Sequence, residues 1–230
     1  MPNTRQLDTD HRSQTTDHEA SALSSVSCPL SPASWFDSHC HLNAPEFAAD
    51  RDAVWWEACR AGVRGALLPA VSLADCAAVD ACVERYAGCA PAYGIHPLFV
   101  MRAEMEDLPA LAALCERKPP VAIGEIGLDG FVKEVDWARQ ETFFQAQLEL
   151  ARKFDLPVIL HARRAVDAVL KHLRRIRVRG GIAHAFNGSP QQAGEFLRLG
   201  FKLGFGGSLT YAGSRRIRAL AASLPDEALV

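Results

Sequence analysis

The chain of 230 residues has no apolar run approaching the roughly 18 residues of a bilayer-spanning helix, so no transmembrane segment and no membrane partner are expected. It lacks an excess of charge of either sign. A formal net charge of -2 argues against a strongly basic nucleic-acid binder and leaves only local patches open. It also lacks any CxxC pair. The cysteines (Cys28, Cys40, Cys59, Cys76, Cys82, Cys89 and Cys115) are odd in number, and several sit in apolar or helical runs, where thiols behave as small hydrophobes. A reduced, cytoplasmic setting is the economical expectation. Residues 1–34 have few large apolar side chains, no periodicity and no apolar core of a secretory signal. They read as a disordered N-terminal extension without an assigned function.

What is present, 49% hydrophobic and 23% charged residues, suffices for one globular domain with a substantial core, placed over residues 35–230. There, short apolar segments alternate with helical patterns. The candidate strands are Trp35–His39, Gly65–Pro69, Ala90–Ile95, Val121–Ile126, Pro157–His161, Gly181–Ala185 and Phe201–Phe205. Their near-continuous apolar character suits parallel strands covered on both faces, with helices as crossovers. Candidate helices are Ala44–Ala61, Leu73–Tyr86, Leu108–Glu116, Trp137–Phe154, Arg164–Arg175 and Gln191–Leu199. In the fourth of these, Phe144, Leu148 and Ala151 recur at helical spacing beside Phe143, Gln147 and Leu150, a stripe expected to face the core. Seven such units predict an α/β fold of the (β/α)8 TIM-type barrel class, with an open doubly wound sheet as the alternative. No GxGxxG follows the first strand, which weakens a dinucleotide-binding reading. An eighth strand begins near Ala228, so the barrel is expected to be incomplete at its eighth strand.

Chemistry-bearing residues recur at the strand ends. The stretch Trp35–Leu42 carries His39 and His41 two residues apart, which on a strand share one face. Paired imidazoles at a strand end are half of a metal site. The third strand runs into His96, the fourth carries Glu125 with Asp129 beyond it, the fifth ends in His161 followed by Arg163, and the sixth carries His184. In a parallel barrel all of these open on one face. Neutral imidazoles hold Zn²⁺, Mn²⁺ or Fe²⁺, and a carboxylate can bridge two cations, for which Glu125 is the natural candidate. Two such cations, about 3.5–4 Å apart, activate a water and clamp the attacking and leaving oxygens of a phosphodiester. Asp129 lies farther into the loop, where a turn or helix-cap role is equally open. Arg163 has the planar fork that matches phosphate. Asn187, Gly188 and Ser189 offer either phosphate-binding amides or a plain turn. The basic run Arg163–Arg179 and the cluster Arg215, Arg216 and Arg218 read as solvated helix faces rather than as a nucleic-acid footprint.

The strings Phe36–Leu42, Gly94–Pro97, Gly124–Asp129, Leu156–Arg163 and His184–Ser189, in this order, resemble the TatD family of metal-dependent hydrolases. His161-Ala162-Arg163-Arg164 and Ser189–Ala193 are most similar to its YjjV-type bacterial branch. The resemblance implies a (β/α)8 barrel of the amidohydrolase superfamily and a metal-dependent deoxyribonuclease. It also admits relatives that cleave other esters, D-aminoacyl-tRNA among them. It further implies two divalent ions (Mg, Mn or Zn), one on His39 and His41, the other on His161 and His184, bridged by Glu125. Glu125 and Arg163 would be catalytic, and His96, Arg163 and Asn187 would contact substrate. DNA or another ester would be the partner of a monomer with no dedicated protein partner. The chain departs from the pattern mildly at Arg164, where many relatives have an acid, and more seriously in one other respect. A Glu-Thr-Asp at the end of the eighth strand would fall beyond Val230, and Asp226 precedes that strand. Its absence would leave the His39/His41 ion one ligand short and the outer strands with unpaired edges. Three functions therefore stand: a phosphodiesterase, a carboxyl-ester hydrolase, or an impaired fragment that only binds metal.

Overall fold

Seven parallel strands and seven helices alternate through residues 34–230, the part of the chain that the structure, a computed structural model, describes. The expected N-terminal extension, Ser34 apart, lies outside the described residues. In chain order the elements are β1 (Trp35–Asp37), α1 (Arg51–Arg60), β2 (Val63–Pro69), α2 (Cys76–Arg85), β3 (Cys89–Tyr93), α3 (Asp107–Arg117) and β4 (Ala122–Asp129). There follow α4 (Trp137–Lys153), β5 (Val158–Arg163), α5 (Val166–Arg175), β6 (Gly181–Ala183), α6 (Pro190–Arg198), β7 (Phe201–Leu203) and α7 (Arg215–Ser223). The strands form one parallel sheet in sequence order, β1 to β7.

The sheet is curled, and the site itself proves it. Neighbouring strands lie about 4.8 Å apart, so in a flat sheet the ends of β1 and β6 would be about 24 Å apart. Instead His39, just after β1, stacks on His184, just after β6, with ring centroids 3.5 Å apart. The fold is thus of the (β/α)8 TIM-barrel class, and the open doubly wound alternative is excluded. At the eighth place Leu229 makes a single parallel bridge to Leu203 of β7, and the Val230 N–H donates to the Leu203 carbonyl at 3.2 Å. Among the described residues no strand pairs with the outer edge of β1, where Trp35 and Phe36 are exposed.

Two local differences from the sequence expectation have clear causes. The helix expected over Ala44–Ala61 is split into a 3-10 turn at Pro45–Phe47 and α1. Pro45 starts the turn, while the Arg51 guanidinium donates to the carbonyls of Leu42, Asn43 and Ala44 and fixes the incoming loop. Helix α7 was anticipated only as a basic helix face without bounds, because only Ile217 and Leu220 of its nine residues are buried among arginines and alanines. Two of those arginines are engaged by nearby backbone and side-chain oxygens. Arg216 donates to Asn187 and Gly188, and Arg218 to the carbonyls of Leu209, Tyr211 and Ala212.

Helix α4 does most to position the site. Asp136 caps its N-terminus by accepting from the Arg139 N–H, and Arg152 and Lys153 sit in its last turn, where the helix dipole favours cations. Its buried face runs Gln140, Phe143, Phe144, Gln147, Leu148 and Ala151, the three- and four-residue spacing of a stripe against a sheet. Two members of that stripe are amides. Gln140 pairs with both the N–H (2.7 Å) and the carbonyl (3.0 Å) of Asp129. Gln147 does the same to Ile95, at 2.7 and 3.1 Å. Arg139 reaches the carbonyls of Val100 and Ala103 in the loop after β3. One helix thereby clamps the backbone beside His96 and at the end of β4.

Candidate metal centre

β4 is buried at every position, as a central strand covered on both faces should be. Its pairing with β5 slips between Ile123 and Ile126, where three steps on β4 match two on β5. Such an irregularity re-aims a side chain, and Glu125 lies inside it, 2% exposed. Gly127 follows with φ of +148°. A Cβ there would stand 1.9 Å from the His161 carbonyl, so only glycine lets β5 approach this closely.

Five imidazoles surround the Glu125 carboxylate. Oε1 lies 3.1 Å from His161 Nδ1 and 3.7 Å from His96 Nε2; Oε2 lies 3.1 Å from His39 Nε2 and 3.5 Å from His41 Nε2. His184 joins through its stack on His39. Two groups, His39–Glu125–His184 and His96–Glu125–His161, each bring three ligand atoms within 4.8 Å of one another and share the one carboxylate. Nitrogen faces nitrogen at 3.1 Å both between His39 and His41 and between His96 and His161. In each pair one nitrogen can donate to the other, and a cation could take the place of the shared proton. The donor set of imidazoles plus one carboxylate fits a divalent metal.

In the structure His184 stacks on His39, and His161 and His96 face each other beside Glu125, so all five imidazoles named from the sequence come together around that carboxylate. The His39/His41 pair, however, is not on a strand. β1 stops at Asp37, whose Oδ1 accepts from the His39 N–H at 3.0 Å and turns the chain. The imidazoles meet through this turn, not through strand alternation. Arg163 ends β5 two residues beyond His161, with its guanidinium 3.7 Å from the Phe131 ring centre. Asn187 has its side-chain oxygen engaged by Arg216, and Ser189 is spent capping α6 with Gln192. Those contacts are the ones the turn reading of Ser189 calls for.

Electrostatics follow from burial. It would push Glu125 up, but hydrogen bonds from His161, His39 and His41 outweigh it and hold the carboxyl well below the usual range. Burial also drives His96 and His184 down to about 4, leaving them neutral and able to ligate. His41 and His161 go the other way, because the Glu125 carboxylate outweighs their burial and raises them. Metal uptake competes with protons for these two rings.

Asp129, which sequence reasoning left open to a turn or helix-cap role, makes turn contacts and also reaches a candidate ligand. Its Oδ1 accepts from the N–H groups of Phe131 (2.8 Å) and Val132 (3.1 Å), a turn role; its Oδ2 lies 2.9 Å from His161 Nε2, a ligand-orienting role. The signal was a carboxylate four residues after Glu125 on the same strand. Asp129→Asn keeps the turn acceptor and removes the charge behind His161. It is expected to weaken metal binding by about 10–100-fold, the usual loss when such a partner is removed. Calorimetric titration of the metal-free variant checks this; an unchanged affinity would make Asp129 a turn residue only.

A curled parallel sheet whose strand ends converge on imidazoles around one buried carboxylate defines a metal-dependent hydrolase barrel. Residues 36–230 match the family model described as TatD related DNase. The chain belongs to the TatD family. It is 40% identical over 199 residues to the uncharacterised metal-dependent hydrolase YjjV of Escherichia coli, covering 85% of this chain and 77% of that one. It is 34% identical to the 3'-5' ssDNA/RNA exonuclease TatD of Enterobacter lignolyticus, over 83% and 73% of the two chains. The crystal structure of E. coli YjjV superposes with a TM-score of 0.81 at 39% identity, covering 85% and 77%. No helix among the described residues is long and apolar enough to cross a membrane.

Proposed function

We propose that the chain hydrolyses phosphodiesters at the 3′ ends of single-stranded nucleic acid, with two divalent ions bridged by Glu125. The observation that carries this is the Glu125 carboxylate, whose two oxygens face separate sets of imidazoles. His39, His41 and His184 would hold one ion, His96 and His161 the other. Such ions, when bound, supply an activated water and stabilise charge on the attacking and leaving oxygens. The chain's own contribution is position. Asp129 orients His161, Gln147 fixes the backbone at Ile95 beside His96, and the stack on Phe131 holds the Arg163 guanidinium flat for a non-bridging phosphate oxygen. The nuclease names of relatives support the choice of substrate.

The test is hydrolysis of single-stranded DNA with Mg²⁺ or Mn²⁺, run beside an aminoacyl ester. Chelator-sensitive release of nucleotides is expected, and His161→Ala should abolish it. Turnover of the ester alone would replace this reading with the carboxyl-ester one. Metal content is expected at two tightly held ions per chain; fewer than two, without turnover, would favour a protein that only binds metal.

A further inference from the structure

A cleft of about 740 Å³ opens beside the ligand cluster, within the roughly 300–1,000 Å³ of small-ligand sites. His161 and His184 line one part of it, Arg163, Arg164 and Asp167 line others, and two aromatic residues, Phe131 and Trp137, complete the wall. Both aromatic residues are exposed, at 43% and 38%. One such residue on a surface is ordinary, but two in the same cleft as two guanidinium groups and two metal-site histidines form a pattern.

Their contacts differ. The Phe131 ring carries the Arg163 guanidinium at 3.7 Å and that of Arg164 at 4.7 Å from its centre, so it holds two cations in place. Strand alternation puts Arg163 on the same face of β5 as His161, towards the site. The one acid on the wall, Asp167, accepts from Gln192 Nε2 at 2.7 Å, and against it stand the two guanidinium groups of Arg163 and Arg164, so the lining is net positive. The side chain of Trp137, the first residue of α4, makes no hydrogen bond or ring contact with any other described residue. An indole face without a partner, in a positive cleft next to phosphodiester chemistry, is what a nucleobase stacks on.

We propose that this cleft is a nucleobase subsite in which Trp137 stacks the terminal base of a single-stranded 3′ end while the Arg163–Phe131–Arg164 stack holds the adjoining phosphate. This rests on the nucleic-acid reading of the metal centre and deepens it. Stacking requires an unpaired base, so the subsite selects single strands, and it is blind to base identity because every base has a π-face.

The test measures binding of full-length, Mg²⁺-loaded protein to two oligonucleotides that carry phosphorothioates in their last linkages to suppress cleavage. One ends in 2-aminopurine, the other in an abasic sugar. Wild type is expected to bind the base-bearing end about tenfold more tightly and to quench its emission, in line with alanine-scan values for base–aromatic stacking. Trp137→Ala should reduce that ratio to near one, and Trp137→Phe should keep most of it. An undiminished ratio in Trp137→Ala overturns the subsite. Hydrolysis of an unprotected strand by a wild type that shows no base preference removes the subsite and leaves the nuclease reading intact. The converse, base preference without hydrolysis, keeps the subsite and removes catalysis. Failure to bind either strand overturns both.

Discussion

Glu125→Gln is expected to lose metal and turnover together. The substitution keeps the shape of the side chain and one acceptor oxygen while removing the charge that both imidazole sets face. Metal content should fall from two ions per chain to one or none. Nuclease activity should fall on the order of 10³-fold, at the upper end of the loss seen when one charge-stabilising group is removed from an active site. Thermal melts give an independent readout. Wild type at a metal concentration 100-fold above its dissociation constant should gain about 2.7 kcal/mol, while the variant gains almost nothing. The pH dependence without metal has a definite sign. His161 is raised above 6.5 in the folded chain, chiefly by Glu125 acting against burial. That contribution is fully present below 6.5 and disappears as pH rises through the raised folded value. Glu125→Gln should flatten this part of the stability curve. Wild-type metal content in the variant would show that Glu125 is a buried ion-pair partner and not a bridge.

Much of this was legible from the chain alone, for physical reasons. Parallel strands covered on both faces are largely apolar, so β2 to β5 show as mostly apolar runs; β1, β6 and β7, three residues each, are seen mainly by their neighbours. The strand-end rule of parallel barrels then places His96, Glu125, His161 and His184 at one mouth without coordinates. Which histidine sits with which is not legible, because that depends on how far the sheet curls. The curl sets His39 against His184 across residues far apart in sequence. The position of the basic α7 also escaped, since two buried apolar residues are too few to show a period. The α4 stripe was visible as a core face, yet in a hydrophobicity pattern Gln140 and Gln147 count only as interruptions. Their partners lie 11 and 52 residues away, and only the fold shows that each amide closes on a strand-end backbone.

Those interruptions make the strongest demand on stability outside the ligands, and Gln147→Leu is expected to cost about 2–5 kcal/mol. The amide oxygen accepts from the Ile95 N–H at 2.7 Å, and its nitrogen donates to the carbonyls of Ile95 (3.1 Å) and Phe143 (3.2 Å). Gln147 and Ile95 are each 1% exposed, so no water replaces what is lost. A buried donor or acceptor left without a partner costs about 1–3 kcal/mol, and the change strands both groups of Ile95. Because His96 is the next residue, the metal group it shares with Glu125 and His161 should loosen as well. The expected result is therefore double: a lower melting temperature in the metal-free protein and a weaker affinity for one ion. Leucine is close to glutamine in volume, so little of the loss can come from a cavity. A variant that melts like wild type would mean that β3 ends where it does without help from α4. A variant that melts lower yet binds both ions normally would make Gln147 a structural clamp with no hold on His96.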